Sequence, residues 1–530
     1  MKKNLMLQGS ILAFAGLISK VIGFLYRIPM ANVIGNNGNG LYSVAFGIYN
    51  IALTLSSYSM PLAVSKLMSA RLARGEYKNA HRLFRDALTL AALSGLIAAM
   101  VLYFGADLLA KVYRKEGLER PLRILAPTVF VVALLGTCRG YFQGHRNMVP
   151  TAVSQVIEQI VNAIVSITAA VFLVRKAIFK GESEAAYGAM GGTMGTLAGA
   201  TVALLLFGLI FCLIRGDMKK EKSHDDAEDE EHRLIVKAIA LTVFPVILSQ
   251  SIYQLGYTLD DLVFGNLMSL KGHDDTLVTE LQGVFNTQYN QMINLPAAIA
   301  TAMASATLPS IVASLARGDR AEARKKTDTV LKFNMMIAIP SAVGLAVLAE
   351  PVMHVLFPGL GEHMDVAVML LRTGSSAVIF YAFSTISTSI LQAGDHMRIP
   401  VIHSGISLAI HVILVAVCVR FTSLGVYALI IGNVSFPLLV CILNGRSMKK
   451  LFDYRFRVSE SFVKPALASL IMGGAVLAIY LLLKGPTGIL CAMVVSIVLG
   501  ILIYFQMLYY LKLLRREDMA AIPLIGKFFR

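Results

Sequence analysis

The chain has 530 residues, 56% of them hydrophobic and only 15% charged, with a mean hydropathy of +0.68. A water-soluble surface cannot be assembled from so few charged side chains, so much of the apolar surface must face lipid. The formal net charge of +16 is compatible with nucleic-acid binding or with membrane topology, and the placement of the cations decides for topology.

Apolar stretches of roughly 20 residues recur along the chain, each long enough at 1.5 Å per residue to cross a hydrocarbon core of about 30 Å. They lie near 8–32, 41–68, 86–110, 122–143, 150–174, 188–214, 236–265, 280–314, 331–356, 366–392, 400–420, 423–445, 462–484 and 487–513. The expected fold class is therefore an all-α polytopic membrane protein with about fourteen transmembrane helices. A β-barrel is excluded because runs such as TVALLLFGLIFCLI (201–214) do not alternate in polarity.

The first stretch follows Met1-Lys2-Lys3-Asn4 and contains Lys20 and Arg27. With no small-x-small cleavage site after a short apolar core, it reads as a span and not as a cleaved signal peptide. Gly16, Lys20, Gly23 and Arg27 are spaced at 4, 3 and 4 residues, so two cations and two glycines share one helical face. A charge at the bilayer centre costs on the order of 2.5–3.5 kcal/mol on insertion scales. This reading places four cations in spans (Lys20, Arg27, Lys66 and Arg372) and no carboxylate mid-span in the first six helices. Lys20 and Arg27 are thus expected to line a water-filled, cationic cavity attractive to an anion; snorkelling to an interface is the alternative.

With the N-terminus inside, roughly 33 of the 48 Lys and Arg fall in cytoplasmic segments and roughly 11 in external ones, which places both termini in the cytoplasm. The loop 111–123 dissents: predicted external, it carries Lys111, Arg114, Lys115, Arg120 and Arg123.

The chain repeats itself. LARGEYKNAHR (72–82) returns as LARGDRAEARK (315–325), SKVIGFLYRIPMANVIG (19–35) is echoed by SQSIYQLGYTLDDLVFG (249–265), and QGHRNMVP (143–150) by QAGDHMRIP (392–400). Collinear matches imply two six-helix lobes, 1–214 and 236–445, related by a pseudo-twofold along the membrane normal. A charged cytoplasmic linker (215–235) joins them, expected to be solvated. A cytoplasmic loop (446–461), a two-helix hairpin (462–513) and a cytoplasmic tail (514–530) follow.

In span seven, Gln250, Tyr253, Gln254 and Tyr257 recur at helical spacing, and span eight adds Asn286, Gln288, Tyr289, Asn290, Gln291 and Asn294. Such amides serve equally as interhelical glue and as sugar-recognition groups. Asp260 and Asp261, near the outer end of span seven, are expected to be interfacial and solvated. Pro61, Pro245, Pro296 and Pro309 are candidate bending points, with packing accommodation an equal reading. The five cysteines form no CxxC pair and read as small apolar residues. The histidines show no ligand spacing, no GxxxxGK phosphate loop occurs, and the external loops are short. No catalytic residue, metal or cofactor is expected, and the chain is not read as an enzyme.

SKVIGFLYRIP (19–29), GLYSVAFGIYN (40–50), MPLAVSKL (60–67) with LARGEY (72–77), and YNQMINLPAAIATAMASATLP (289–309) resemble the multidrug/oligosaccharidyl-lipid/polysaccharide exporter superfamily. The resemblance is to its MurJ-like lipid II flippase and stage V sporulation protein B branch. It implies a two-lobed, V-shaped export fold and an undecaprenyl-diphosphate-linked saccharide as substrate. It further implies a basic central cavity for the diphosphate and a groove at spans 13 and 14 for the lipid tail. The candidate substrate-binding residues are then Lys20, Tyr26, Arg27, Asn50, Gln250, Tyr253, Gln254, Asn290, Gln291 and Asn294. Gram-negative members carry further arginines where this chain has Leu53 or Thr54, and Gln291. The implied setting is the bacterial cytoplasmic membrane, with a lipid-linked oligosaccharide and membrane lipids as partners and no nucleic acid. The chain would act as a monomer, with cell-wall synthesis machinery as a further partner. An ion-coupled multidrug exporter of the same superfamily is the alternative, and it calls for a buried acid in the first lobe.

Overall fold

The computed structural model describes residues 2–56, 59–223, 225, 229–454 and 456–514. Among them helices account for nearly all regular structure and no strand occurs. Two compact units are present, Met1–Thr287 with Val419–Phe421, and Gln288–Cys418 with Thr422–Arg530.

The first unit contains α1 (Lys2–Ser56), α2 (Met60–Ala73), α3 (Tyr77–Val112), α4 (Glu119–Gly144), α5 (Val149–Lys180), α6 (Glu184–Ser223), α7 (His232–Leu270) and α8 (Asp275–Gly283). α1 is broken at Gly35, where φ is 70° and ψ 174°, a conformation that glycine adopts without steric penalty. Small residues bring helices together where lipid supplies no hydrophobic drive between them. On α6, Gly191, Gly195 and Gly199 abut the α5 backbone at Ala170, Asn162 and Glu158, with no room for a Cβ. At Gly40 a Cβ would strike the carbonyl oxygen of Thr279 on α8, and at Gly283 one would strike that of Asn36 on α1.

α7 and α8 pack with the helices before them, and the first compact unit runs to Thr287. The acidic stretch after α6 also makes contacts at its described residues. Glu230 pairs with Arg71 at 2.5 Å, Asp229 with Arg82 at 3.2 Å, and an Asp225 carboxylate oxygen accepts from the Lys78 backbone N–H at 2.5 Å. The end of α2 and the start of α3 thus have acidic partners 140 or more positions away.

The second unit contains α9 (Asn290–Ala316), α10 (Arg320–Val347), α11 (Ala349–Leu356), α12 (Met364–Gly374), α13 (Ala377–Ala393), α14 (Arg398–Phe421), α15 (Ala428–Phe452), α16 (Lys464–Thr487) and α17 (Ile489–Tyr510). A π-helical segment, Val284–Tyr289, precedes α9. The α16–α17 hairpin docks through Gly473 against Val343 and through the Tyr504 hydroxyl, which donates to the Met336 carbonyl at 2.8 Å. Its other face leaves Leu470, Leu482, Leu490 and Leu502 exposed, as a lipid-facing surface requires.

Among the described residues ten helices are long and apolar enough to span a membrane, or eleven if the bent pair Pro358–Gly374 and Ala377–Ala393 is one span. The expected fourteen is not reached by this count. The stretch Phe14–Ala73 enters this count once, although α1 is broken at Gly35 and α2 is a separate helix. The stretches 236–265 and 280–314 include side chains outside those described.

Candidate functional site

In the first unit α1 packs against α5 at Gly23 of the stripe. A Cβ at Gly23 would lie 3.6 Å from the Gln159 amide oxygen. One turn on, buried Tyr26 accepts a hydrogen bond from the Asn162 amide at 3.3 Å, and Asn162 in turn accepts from the Ser166 hydroxyl at 2.9 Å. Lys20 and Arg27 are both exposed. The Arg27 guanidinium stands beside the hydroxyls of Tyr26 and Tyr42, two phenols that are otherwise buried. Neither cation forms an ion pair among the described residues. Asn50, further along α1, is half-buried. A polar track of Gln155, Gln159 and Asn162 therefore runs along α5 next to the cationic stripe, and the Gln155 amide oxygen is buried without a hydrogen-bond partner.

This track was absent from the sequence reading, as was a charge pair beside it. Arg139 of α4 and Glu158 of α5 lie inside the stretches 122–143 and 150–174, so more than four cations occupy spans and the first six helices do contain a carboxylate. Arg139 donates from Nη2 to Glu158 at 2.6 Å and from Nε to the Ser154 hydroxyl at 3.1 Å, with the two side chains only 15% and 18% exposed. The signal was a cation and an acid in neighbouring apolar stretches, each of which needs a partner at that depth.

Asp260 and Asp261 are also corrected: both are buried, 9% and 6% exposed, not solvated at an interface. Asp261 accepts from the Asn286 amide at 2.6 Å and from Gln282 at 2.7 Å through its backbone carbonyl. The amide-rich segment after α8 supplies the partners that water would otherwise provide.

The remaining expected site residues divide between the two units. Gln254 is half-buried in α7, whereas the side chains of Gln250 and Tyr253 lie outside the described residues. Asn290, Gln291 and Asn294 belong to the second unit. There Asn290 is buried and accepts from Asn433 of α15 at 3.2 Å, Tyr289 donates to the Gly374 carbonyl at 3.0 Å, Gln291 is buried and Asn294 exposed. Asn290 and Tyr289 thus tie α9 to its neighbours.

Two of the five cations in the dissenting loop 111–123 have acidic partners. Arg123 pairs with Asp107 at 2.8 Å, and Arg120 pairs with Glu182 at 3.1 Å while lying 4.3 Å over the Tyr187 ring. Among the described residues no group of three or more His, Cys, Asp or Glu could hold a metal ion.

The family model described as polysaccharide biosynthesis protein matches residues 6–315, more than half of the chain. The chain belongs to the polysaccharide biosynthesis protein family. Stage V sporulation protein B of Bacillus subtilis (strain 168) is 24% identical over 99% of this chain and 99% of its own length. Lipid II flippase MurJ of the same organism is 24% identical over 77% and 76%. Among solved structures, lipid II flippase MurJ in an inward closed conformation superposes with a TM-score of 0.68, 18% identity, and coverage of 95% of this chain and 99% of that one. An inward-facing multidrug resistance MATE family transporter gives 0.63 at 15% identity, covering 82% and 96%. At these identities the structural likeness concerns the fold alone: this member of the polysaccharide biosynthesis protein family is a multi-pass helical membrane protein of the fold those transporters share.

Proposed function

We propose that this chain is a flippase that moves an undecaprenyl-diphosphate-linked saccharide, a cell-wall or polysaccharide precursor of the lipid II type, from the inner to the outer leaflet by alternating access. The observation that carries the reading is the accessible pair of cations on α1, Lys20 and Arg27, set against the amides of α5. Cations that are exposed within a span and free of carboxylate partners suit a diphosphate. The neighbouring amides offer donors and acceptors to sugar hydroxyls. The names of the curated relatives, a lipid II flippase and a sporulation protein, point the same way.

A diphosphate carries about two negative charges, and each one leaving a negative interior gains about 2.3 kcal/mol per 100 mV. The membrane potential can therefore drive export without nucleotide hydrolysis, and the chain acts as a carrier and not as an enzyme. The setting is the bacterial cytoplasmic membrane with both termini inside, and the chain works as a monomer beside the cell-wall synthesis machinery. Spans 13 and 14, here α16 and α17, offer apolar surface to the polyprenyl tail.

The ion-coupled drug exporter keeps one specific support, the carboxylate of Glu158 within the first six helices. Its engagement with Arg139 counts against a free coupling acid. To separate the readings, a depletion strain is complemented with the wild type or with Lys20→Gln/Arg27→Gln, and lipid-linked intermediates are identified by mass spectrometry. The flippase reading expects growth with the wild type and an accumulating inner-leaflet precursor with the double variant. Full complementation by the double variant overturns it, as does altered drug resistance with no change in precursor.

A further inference from the structure

The charged loop between α3 and α4 holds a second polar centre that flipping as described above does not use. Lys115 is 3% exposed. Among the described residues its ammonium has one hydrogen-bond acceptor, the Thr279 hydroxyl of α8 at 2.8 Å, and that hydroxyl already donates to the Asp275 carbonyl at 2.7 Å. The anionic influences on it are Asp261 of α7 and Asp275 of α8, and buried Asp261 is held by Asn286 and Gln282. A cavity of about 1270 Å³ reaches this centre, with Lys115, Thr279 and Asp275 in its wall. A buried ammonium that meets a neutral hydroxyl and no carboxylate at ion-pair distance has lost its hydration without full replacement.

We propose that Lys115, with Thr279 and Asp261, forms a proton-binding site that exchanges with water through this cavity, and that proton uptake favours release of the α3–α4 loop from α7 and α8. The charged groups that set its field come from every element around it. α3 contributes Asp107 and Lys111, the loop Arg114 and Glu116, α4 Glu119, α8 Asp274 and Asp275, and α7 Asp260 and Asp261. Tyr113 lies close enough to Asp261 to feel its charge. Several are already engaged: Asp107 with Arg123, and Asp274 as the N-cap of α8, accepting from the Thr276 and Leu277 backbone N–H groups. Asp275 accepts from the Ser269 hydroxyl. The anions that act on Lys115 are Asp261 first and Asp275 after it.

Burial pushes the Lys115 ammonium down to about 8, with Asp261 and Asp275 pulling in the opposite direction. The linkage sign follows. A lysine whose pKa is lower when docked than when free docks better as pH rises between the two values, by up to tenfold per pH unit, and protonation favours undocking. Water in the cavity is the proton donor and acceptor, so no other co-reactant is required.

Competitive acetylation of the full chain in nanodiscs, with each lysine quantified by mass spectrometry between pH 6 and 10, reads this site directly. Lys115 should become reactive with an inflection near 8, separated from the other lysines, and Asp261→Asn should move that inflection lower because the stabilising anion is gone. Titration of Lys115 together with the surface lysines, an unreactive Lys115 throughout the range, or an inflection untouched by Asp261→Asn each overturns the proposal. If Asp261→Asn does not fold, the wild-type inflection alone decides.

Discussion

Replacing Glu158 by Gln keeps the shape of the α4–α5 contact and removes its negative charge, leaving the Arg139 guanidinium at 15% exposure with neutral acceptors only, the new amide oxygen and the Ser154 hydroxyl. Breaking a buried pair by neutralising one partner costs roughly 3–5 kcal/mol, mostly the price of the orphaned charge. Because both side chains retain some exposure, the lower end applies, about 3 kcal/mol. Removing both charges, as Arg139→Met with Glu158→Met, eliminates the orphan and is expected to lie near the wild type, so the cycle built from these two substitutions should show a coupling equal to the summed single-variant losses, about 3 kcal/mol or more. The assay is thermal unfolding of the purified chain in one detergent, followed by complementation with each variant. A structural pair predicts that Glu158→Gln is the least stable and that the doubly apolar variant regains both stability and growth. An additive cycle refutes the buried-pair argument, and a stable but inactive double variant assigns Glu158 to ion coupling.

Gly40→Ala places a methyl against the Thr279 carbonyl where the α1 and α8 backbones meet. Overpacking of this kind should cost about 1–3 kcal/mol, read as a lowered unfolding temperature, while Gly16→Ala, with open space around it, should be neutral. Glu230→Ala leaves Arg71 without its 2.5 Å partner and should destabilise by roughly 1–3 kcal/mol, with faster proteolysis in the 217–233 stretch as the direct readout. Unchanged cleavage there would show that the acidic stretch is not held by this pair in solution.

Lys20 and Arg27 could be placed on one face from their spacing alone, since helical periodicity is a local property of the chain. The lipid-facing character of the chain and its all-helical class followed from composition and stretch length for the same reason. Pairing is a different kind of fact. Arg139 finds Glu158 across a helix–helix contact, Lys115 finds Thr279 164 positions away, and Asp261, read from sequence as solvated, is enclosed by amides of the following segment. Those outcomes depend on which helix faces come together, and glycines at Gly40, Gly195 and Gly283 set that by letting backbones approach without a Cβ between them. Local pattern therefore determined which segments are helical and which of their faces carry charge. The tertiary packing decided which charges are neutralised, which stay accessible, and where the compact units divide, because burial and partner choice arise only once distant backbones are in contact.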